Sequence, residues 1–218
     1  MSTHRIGLVG AGGIAPVHVE GWQSLGLPIT VFSRSGAEEL AHTYGLTVVA
    51  SLEELLDQVD IVDVVTPTLA HHEVAIGALK AGKPTLCEKP LARTHDAATH
   101  LARLARSTGA PLMPAHVVRF FPEYRQVKEA IDAGAVGEPA VIRLTRAGQR
   151  PDPDSWMTVE AESGGIIMDQ MIHDLDQARW WAGEITRVYA TQNPAHLSAD
   201  TNHTITAHVT LTHANGTI

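Results

Sequence analysis

A short apolar run that ends in a glycine-rich turn constrains the fold of this chain more than any other feature. Ile6 to Val9 predicts a buried strand, and the turn Gly10-Ala11-Gly12-Gly13-Ile14-Ala15 leads into a helical pattern from about Ile14 to Leu25. Gly10 permits the tight turn, Gly12 lets the backbone approach a pyrophosphate, and the helix start offers free N–H groups and a positive dipole end. This order predicts a dinucleotide-binding loop; the alternative is a glycine turn with a structural role alone.

The rest of the first half alternates strands with helices. Predicted strands lie at about 27–32, 47–49, 61–65, 84–87 and 112–115, and predicted helices at about 37–43, 52–56, 71–81 and 95–107. The second of these helices opens with the capping box Ser51-Leu52-Glu53-Glu54, and the strand at 61–65 is apolar except for Asp63. This alternation predicts an α/β fold with a mostly parallel sheet covered on both faces.

After about Val118 the pattern changes to that of a second, α+β layer. We predict a helix at 122–133, a strand at 139–146, a long loop at 149–163, one helix at 164–182, and strands at 185–192 and 203–212. Asn215-Gly216 is a strong hairpin signal, yet only Thr217 and Ile218 follow it. We therefore expect that the chain is shortened at this end or that another surface covers an exposed strand edge.

Charge and cysteine content argue against several classes of partner. The chain carries 16 Lys and Arg against 24 Asp and Glu, a net charge of -8, with no basic cluster to meet a phosphate backbone. Its single cysteine, Cys87, cannot form an intrachain disulfide, and no segment approaches the ~18 apolar residues that cross a bilayer. We expect a cytoplasmic protein without nucleic-acid or membrane partners. A metal site is not expected, because His71-His72-Glu73 lacks a Cys partner or a His-x-x-x-His pair.

The end of the second strand bears on the choice of dinucleotide. A site that prefers NAD holds an Asp or Glu there, which accepts from the ribose 2′-OH, whereas this chain has Ser33 and Arg34. A hydroxyl followed by a permanently charged guanidinium suits a 2′-phosphate better, so the sequence favours NADP over NAD. The alternative is that Arg34 is a solvated loop residue.

Two further groups of residues are candidates for catalysis. Lys89, in Glu88-Lys89-Pro90, follows the fifth strand at the sheet edge where ligands bind, and could donate to a substrate hydroxyl. Asp169 and His173 are four residues apart on one predicted helix, so both are predicted to project from the same face. A carboxylate tunes the charge of a neighbouring imidazole, and His is a suitable general base for an alcohol proton. The alternatives are a surface lysine and an intrahelical ion pair.

Taken together, these motifs resemble those of the Gfo/Idh/MocA oxidoreductases, a family that includes glucose-fructose oxidoreductase and inositol dehydrogenases. The resemblance runs in the same order over essentially the whole chain. The motifs that carry it are GAGGIA at 10–15, Thr66-Pro67 with His71, Glu88-Lys89-Pro90, Arg119-Phe120-x-Pro-x-Tyr124, and Gly164-Gly165 followed by Asp169 and His173.

The resemblance implies an N-terminal Rossmann domain with a doubly wound parallel sheet over residues 1–118. It implies a second α+β domain over 119–218 with an open, mainly antiparallel sheet, incomplete here, that commonly mediates homo-oligomer assembly. In the implied catalytic triad, His173 accepts or donates a proton, Asp169 is its partner and Lys89 polarises the substrate. The residues implied in NAD(P) binding are Gly10, Gly12, Gly13, Ile14, Ser33, Arg34, Thr66, Pro67, His71, Glu88 and Lys89.

The expected function is that of an NAD(P)-dependent oxidoreductase, which transfers hydride between nicotinamide and a hydroxyl-bearing carbon of a sugar, cyclitol or related molecule. A non-catalytic dinucleotide-binding sensor on the same fold is the alternative, and a fragment that binds cofactor without turnover is a third interpretation. Two features depart from the family: its members are longer, and Ser33-Arg34 replaces the common acidic residue. His116, Arg119 and Trp156 are candidates to line a sugar pocket, with packing as an equal alternative.

Overall fold

The chain divides into two compact units, Met1–Ala115 and His116–Ile218. The structure, a computed structural model, describes residues 4–195 and 205–218. The sequence placed the boundary between the domains after residue 118, so the two positions differ by three residues.

The first unit contains a sheet of parallel strands in the order β3-β2-β1-β4-β5-β6. The strands are β1 (Ile6–Val9), β2 (Ile29–Phe32), β3 (Thr47–Val48), β4 (Ile61–Val64), β5 (Thr85–Glu88) and β6 (Leu112–Ala115). The strand order reverses direction between β1 and β4, and ligands of doubly wound folds bind outside the carboxyl ends of the strands at such a point. The predicted doubly wound parallel sheet is confirmed.

Helices connect these strands and cover both faces of the sheet. They are α1 (Ala15–Ser24), α2 (Ala37–Tyr44), α3 (Leu52–Gln58), α4 (Thr68–Lys80) and α5 (His95–Thr108). The predicted cap of α3 forms, because the Ser51 hydroxyl accepts from the Glu54 N–H at 3.1 Å. The Glu54 carboxylate accepts from the N–H of Ala50 at 2.9 Å. Helix α4 begins three residues before its predicted start at 71.

Alternating side chains of the strands enter two separate apolar clusters. Ile6 and Leu8 of β1 pack on one face with Val19 of α1, whereas Val9 packs on the other face with Leu55 of α3. All five side chains are at least 98% buried. Burial on both faces explains why these short strands are nearly continuous apolar runs in the sequence.

The second unit combines short helices with an antiparallel strand pair, which confirms the predicted α+β class. Its α-helices are α6 (Pro122–Asp132), α7 (Glu160–Ser163), α8 (Gly165–Asp169) and α9 (Ile172–Ala182), with 3₁₀ helices at Val117–Phe120 and Trp156–Thr158. Strand β7 (Ile185–Asn193) pairs with β8 (Thr206–His213). Strand β8 begins three residues after its predicted start at 203, and residues 203–204 lie outside the described residues.

Three sequence predictions for the second unit are wrong. Residues 139–146 form no strand. Two backbone hydrogen bonds in the described part of the chain join this segment to Ile218. The Ile142 N–H donates to the Ile218 carbonyl at 2.8 Å, and the Ile218 N–H donates to the Ala140 carbonyl at 3.1 Å. Two bonds to one residue do not make a ladder. The segment 149–163 is also not a loop throughout, because it contains the 3₁₀ helix Trp156–Thr158 and α7.

The single helix predicted at 164–182 is also wrong, since the segment is divided into α8 and α9. At the junction, the Met171 N–H donates to the Ile166 carbonyl at 2.9 Å, five residues back instead of four. The longer turn interrupts the helical ladder and changes the direction of the residues that follow. Asp169 therefore ends one helix and His173 lies in the first turn of the next.

The predicted turn at Asn215-Gly216 forms. Gly216 has a φ of +90°, the His213 N–H donates to the Thr217 carbonyl at 2.9 Å, and the Asn215 side chain accepts from the Thr217 N–H at 3.1 Å. Residues 4–195 and 205–218 include no helix with the length and apolar character that crossing a membrane requires.

Gly10 has the most restricted surroundings of the glycine turn. Its φ is +114°, and a Cβ built on it lies 2.8 Å from the carbonyl carbon and oxygen of Val65 and 2.9 Å from the Thr66 nitrogen. We expect Gly10→Ala to lower the free energy of unfolding by on the order of 3 kcal/mol, from strain and overpacking together. Urea unfolding measures this.

Gly26→Ala is the matched control, because Gly26 has a φ of +69° but nothing within 4 Å of an added Cβ. The loss there should be only about 1 kcal/mol, the cost of a left-handed backbone for alanine. Equal losses at the two positions would contradict the role of close backbone approach at Gly10.

Candidate functional site

The glycine turn has the form that a pyrophosphate requires. The Gly10 N–H donates to the Phe32 carbonyl and the Ala15 N–H to the Gly12 carbonyl, both at 2.9 Å, so the turn is held at each end. A Cβ built on Gly12 or Gly13 meets nothing within 4 Å. The turn therefore presents open space directly before the N-terminus of α1, where N–H groups and the helix dipole favour an anion.

The loop after β2 lies beside the glycine turn. A Cβ built on Gly36 would come within 3.4 Å of the Ala11 carbonyl oxygen, so the two backbones are close. Ser33 is half-buried in this loop and Arg34 is exposed. The arrangement leaves the Arg34 guanidinium accessible to a phosphate next to a bound dinucleotide.

His71 links two other loops at the same sheet edge. It is 1% exposed, and its Nδ1 and Nε2 lie 2.8 Å from the carbonyl oxygens of Pro90 and Thr66, respectively. Burial lowers the pKa of His71. The side chain thus ties the segment that follows β4 to the Glu88-Lys89-Pro90 turn that follows β5, and a cis peptide bond joins Lys89 to Pro90.

A largely buried group of charged side chains lies between α1 and the sheet. The His18 Nδ1 is 2.8 Å from Asp63 Oδ2, and its Nε2 is 3.2 Å from Glu88 Oε1. The Trp22 Nε1 donates to the same Asp63 oxygen at 2.6 Å. On the other side, the Glu88 Oε2 accepts from the Lys89 N–H at 3.0 Å. A chain of contacts therefore runs from the centre of the sheet to the Lys89 backbone.

The histidine in this group is cationic at neutral pH. Burial disfavours its charge, but the hydrogen bonds with Asp63 and Glu88 outweigh burial and raise the pKa of His18 to about 9. Burial alone would raise the pKa of Glu88. The hydrogen bond with His18 opposes burial and helps to hold the pKa of Glu88 below its usual value. Both ring nitrogens face carboxylates, and an imidazolium satisfies both because it carries two N–H donors.

Asp169 and His173, the remaining candidates, belong to the second unit. Asp169 is buried and accepts from the Gln170 side-chain amide at 3.1 Å, while His173 is half-buried. The expectation of a single helix that carries both is wrong, because α8 ends at Asp169 and α9 begins at Ile172. Lys89 belongs to the first unit.

Two arginine–aspartate pairs hold other segments of the second unit against α9. The Arg119 guanidinium donates to both oxygens of Asp176 at 2.7 Å and lies 5.4 Å over the Trp180 ring. The Arg146 guanidinium donates to both oxygens of Asp174 at 2.9 Å. Two-point pairs of this kind fix side-chain orientation. Arg119, a candidate for a sugar pocket, is thus engaged in a structural pair.

Comparison with known proteins places the chain in a family. Residues 4–116 match the family described as "Oxidoreductase family, NAD-binding Rossmann fold", and residues 124–218 match "GFO/IDH/MocA C-terminal domain". The chain belongs to the Gfo/Idh/MocA oxidoreductase family. The resemblance inferred from the sequence motifs is confirmed.

Several named proteins are similar to this Gfo/Idh/MocA chain. Inositol 2-dehydrogenase of Rhizobium meliloti (strain 1021) is 32% identical over 188 residues, which are 84% of this chain and 56% of that protein. The 1,5-anhydro-D-fructose reductase of Ensifer adhaerens is 33% identical over 187 residues, again 56% of its length and 81% of this chain. The chain therefore spans little more than half of these curated relatives.

A solved structure resembles the fold over the whole chain. The crystal structure of GenD2 from gentamicin A biosynthesis, in complex with NAD, superposes with a TM-score of 0.87 at 26% identity. The alignment covers 100% of this chain and 64% of that one.

The group around His18 in this Gfo/Idh/MocA member was not among the residues predicted from the sequence. Two signals point to it. His18 and Trp22 lie on the same helical stripe as the buried Ala15 and Val19, with spacings of three and four residues. Asp63 interrupts an otherwise apolar strand. A polar residue on each of two core-facing surfaces indicates that they meet.

The raised pKa of His18 predicts a specific dependence of stability on pH. Because the folded pKa exceeds the unfolded value of 6.5, the contribution of His18 is complete below about pH 6.5 and is lost as pH rises through about 9. Relative to His18→Gln, the wild type should lose on the order of 3 kcal/mol of unfolding free energy across that window. Urea unfolding at a series of pH values measures the difference.

His100→Gln is the control, since His100 is exposed on α5. A His18→Gln difference from wild type that changes with pH no more than that of the control would show that His18 is not a cation in the folded protein.

Proposed function

We propose that the protein is an NAD(P)-dependent oxidoreductase that exchanges hydride with a hydroxyl-bearing carbon of a sugar, cyclitol or related small molecule. The observation that carries the proposal is that one edge of the parallel sheet holds both an open glycine turn, after β1, and the Lys89 turn, after β5. The names of the inositol 2-dehydrogenase and 1,5-anhydro-D-fructose reductase relatives support the substrate class.

The cofactor site is assigned to four segments of the first unit. Gly12, Gly13 and Ile14 would hold the pyrophosphate through backbone N–H groups, because an added Cβ at Gly12 or Gly13 has open space before it, and Gly10 would contribute the tight turn. Ser33 and Arg34 would face the adenosine ribose. Thr66, Pro67 and His71, with Glu88 and Lys89, would line the nicotinamide side, where His71 joins the two loops.

The catalytic roles are assigned to three side chains. Bound nicotinamide supplies the hydride acceptor or donor. The Lys89 ammonium would donate to the substrate oxygen and stabilise negative charge as it develops there. His173 would accept the hydroxyl proton during oxidation and return it during reduction, and the buried Asp169 would favour its charged form.

We also propose a preference for NADP, assembly into a homo-oligomer and a cytoplasmic setting. The exposed Arg34 beside the glycine turn supports the first. Val188 and Tyr189 of β7 lie on opposite faces of the strand and are 60% and 65% exposed, which supports an interface on the second-unit sheet. The buried, lone Cys87 suits a reducing compartment.

Loss of the catalytic side chains should separate turnover from binding. We expect Lys89→Ala and His173→Ala each to lower kcat by at least about 100-fold, because each removes charge or proton transfer needed in the transition state. Absorbance at the nicotinamide band, with a panel of inositols and sugars, measures turnover; NADPH fluorescence should show that the dinucleotide still binds. Lys80→Ala, at the end of α4, is the control.

Normal turnover in both variants would contradict this mechanism. A wild-type chain that binds NADPH but oxidises no member of the panel would contradict the oxidoreductase proposal and favour the dinucleotide sensor.

The role of Arg34 is tested by its removal. Arg34→Ala should raise the Kd for NADPH by about 10-fold or more, the effect of one charged hydrogen bond, and leave the Kd for NADH unchanged. Fluorescence titration of both nucleotides measures this. Arg106→Ala, in the last turn of α5, should change neither value. An NADPH preference that survives in Arg34→Ala, or is absent from the wild type, would overturn the assignment.

A further inference from the structure

We propose that His18 is a positioning residue, which holds Glu88 in place and thereby fixes the turn that carries Lys89. The inference rests on the proposed function, in which Lys89 polarises the substrate oxygen. His18 itself lies on α1, and in this proposal it contacts neither the substrate nor the nicotinamide.

The first step is the anchoring of the imidazole. The His18 side chain is only 12% exposed and is engaged at both ring nitrogens, at 2.8 Å by Asp63 and at 3.2 Å by Glu88. Asp63 has no exposed surface, and the Trp22 indole donates to the same carboxylate oxygen at 2.6 Å. With a contact at each ring nitrogen, the imidazole cannot turn without breaking a hydrogen bond.

The second step is the contact of Glu88 with both His18 and the Lys89 turn. The Glu88 carboxylate uses Oε1 for His18 and Oε2 for the Lys89 N–H at 3.0 Å. One rigid carboxylate thus connects the imidazole to the Lys89 backbone. From the other side, His71 holds the Pro90 carbonyl at 2.8 Å. The turn that carries Lys89 is therefore fixed on both sides by histidines from different helices.

The third step is electrostatic. In the described part of the chain, the charged groups that face His18 are Asp63 from β4 and Glu88 from β5. Lys89 also attracts the Glu88 carboxylate, since both cations favour its ionised form. If His18 were neutral, Glu88 would lose the cation that it contacts, and its carboxylate would be held less firmly. The imidazolium therefore favours the ionised Glu88 that accepts from the Lys89 N–H.

A double-mutant cycle tests this chain of effects. We expect His18→Gln to lower kcat by about 10-fold, with KM and the Kd for NADPH changed by less than about 3-fold, because the loss lies in the placement of a transition-state donor. In a Glu88→Gln background, the same substitution should change kcat by less than about 2-fold, since the connection is already broken. His100→Gln should behave as wild type.

Two kinetic outcomes would overturn the inference. One is a His18→Gln variant with wild-type kcat at pH 7. The other is a pair of losses that multiply in the double variant, which would mean that His18 acts independently of Glu88. Circular dichroism at the assay temperature ensures that only folded variants are compared.

An NMR measurement tests the connection without turnover. Imidazole signals of His18 should titrate with a midpoint near pH 9, and the Lys89 backbone amide signal should move with the same midpoint. In Glu88→Gln the midpoint should fall, and the Lys89 amide should no longer follow it. A Lys89 amide that does not respond to His18 overturns the positioning role, whereas absent wild-type turnover with an intact NMR response refutes only the proposed function.

Discussion

The contact between the first glycine of the loop and the chain after β4 sets the geometry on which the first unit depends. The Gly10 α-carbon lies so near the backbone of Val65 and Thr66 that a Cβ would fall 2.8 Å from the nearest atoms. This approach lets β1 turn directly into α1 at the point where the strand order reverses. The open space at Gly12, the start of α1 and the loop to α4 all follow from that one close packing.

The placement of α1 has an electrostatic consequence. It brings His18 over the sheet between the buried Asp63 and the half-buried Glu88, where one imidazolium meets two carboxylates. Buried charges persist only when they are paired and hydrogen-bonded. Here the pairing also reaches the turn that carries Lys89, because Glu88 accepts from its N–H. Packing, charge and a candidate catalytic side chain are therefore linked through one buried group.

Predictions succeeded where a local pattern alone determines the structure and failed where distant contacts decide it. The α3 cap at Ser51 and the Asn215-Gly216 turn formed as predicted, because each needs only neighbouring residues. The helix at 164–182 has an unbroken helical pattern, yet it divides at Met171. Arg146 and Asp174 pair across 28 residues, and no periodicity in the sequence indicates that contact.

The sequence by itself determined the doubly wound sheet, the glycine loop and the family, since alternating apolar runs and glycine spacing encode backbone geometry locally. Tertiary structure decided which polar side chains meet. His18, Asp63 and Glu88 come from α1, β4 and β5, and only the packing of that helix on those strands brings them within 3.2 Å. The reason is physical: a buried ion needs a partner at hydrogen-bond distance, and that distance is set by the fold and not by spacing along the chain.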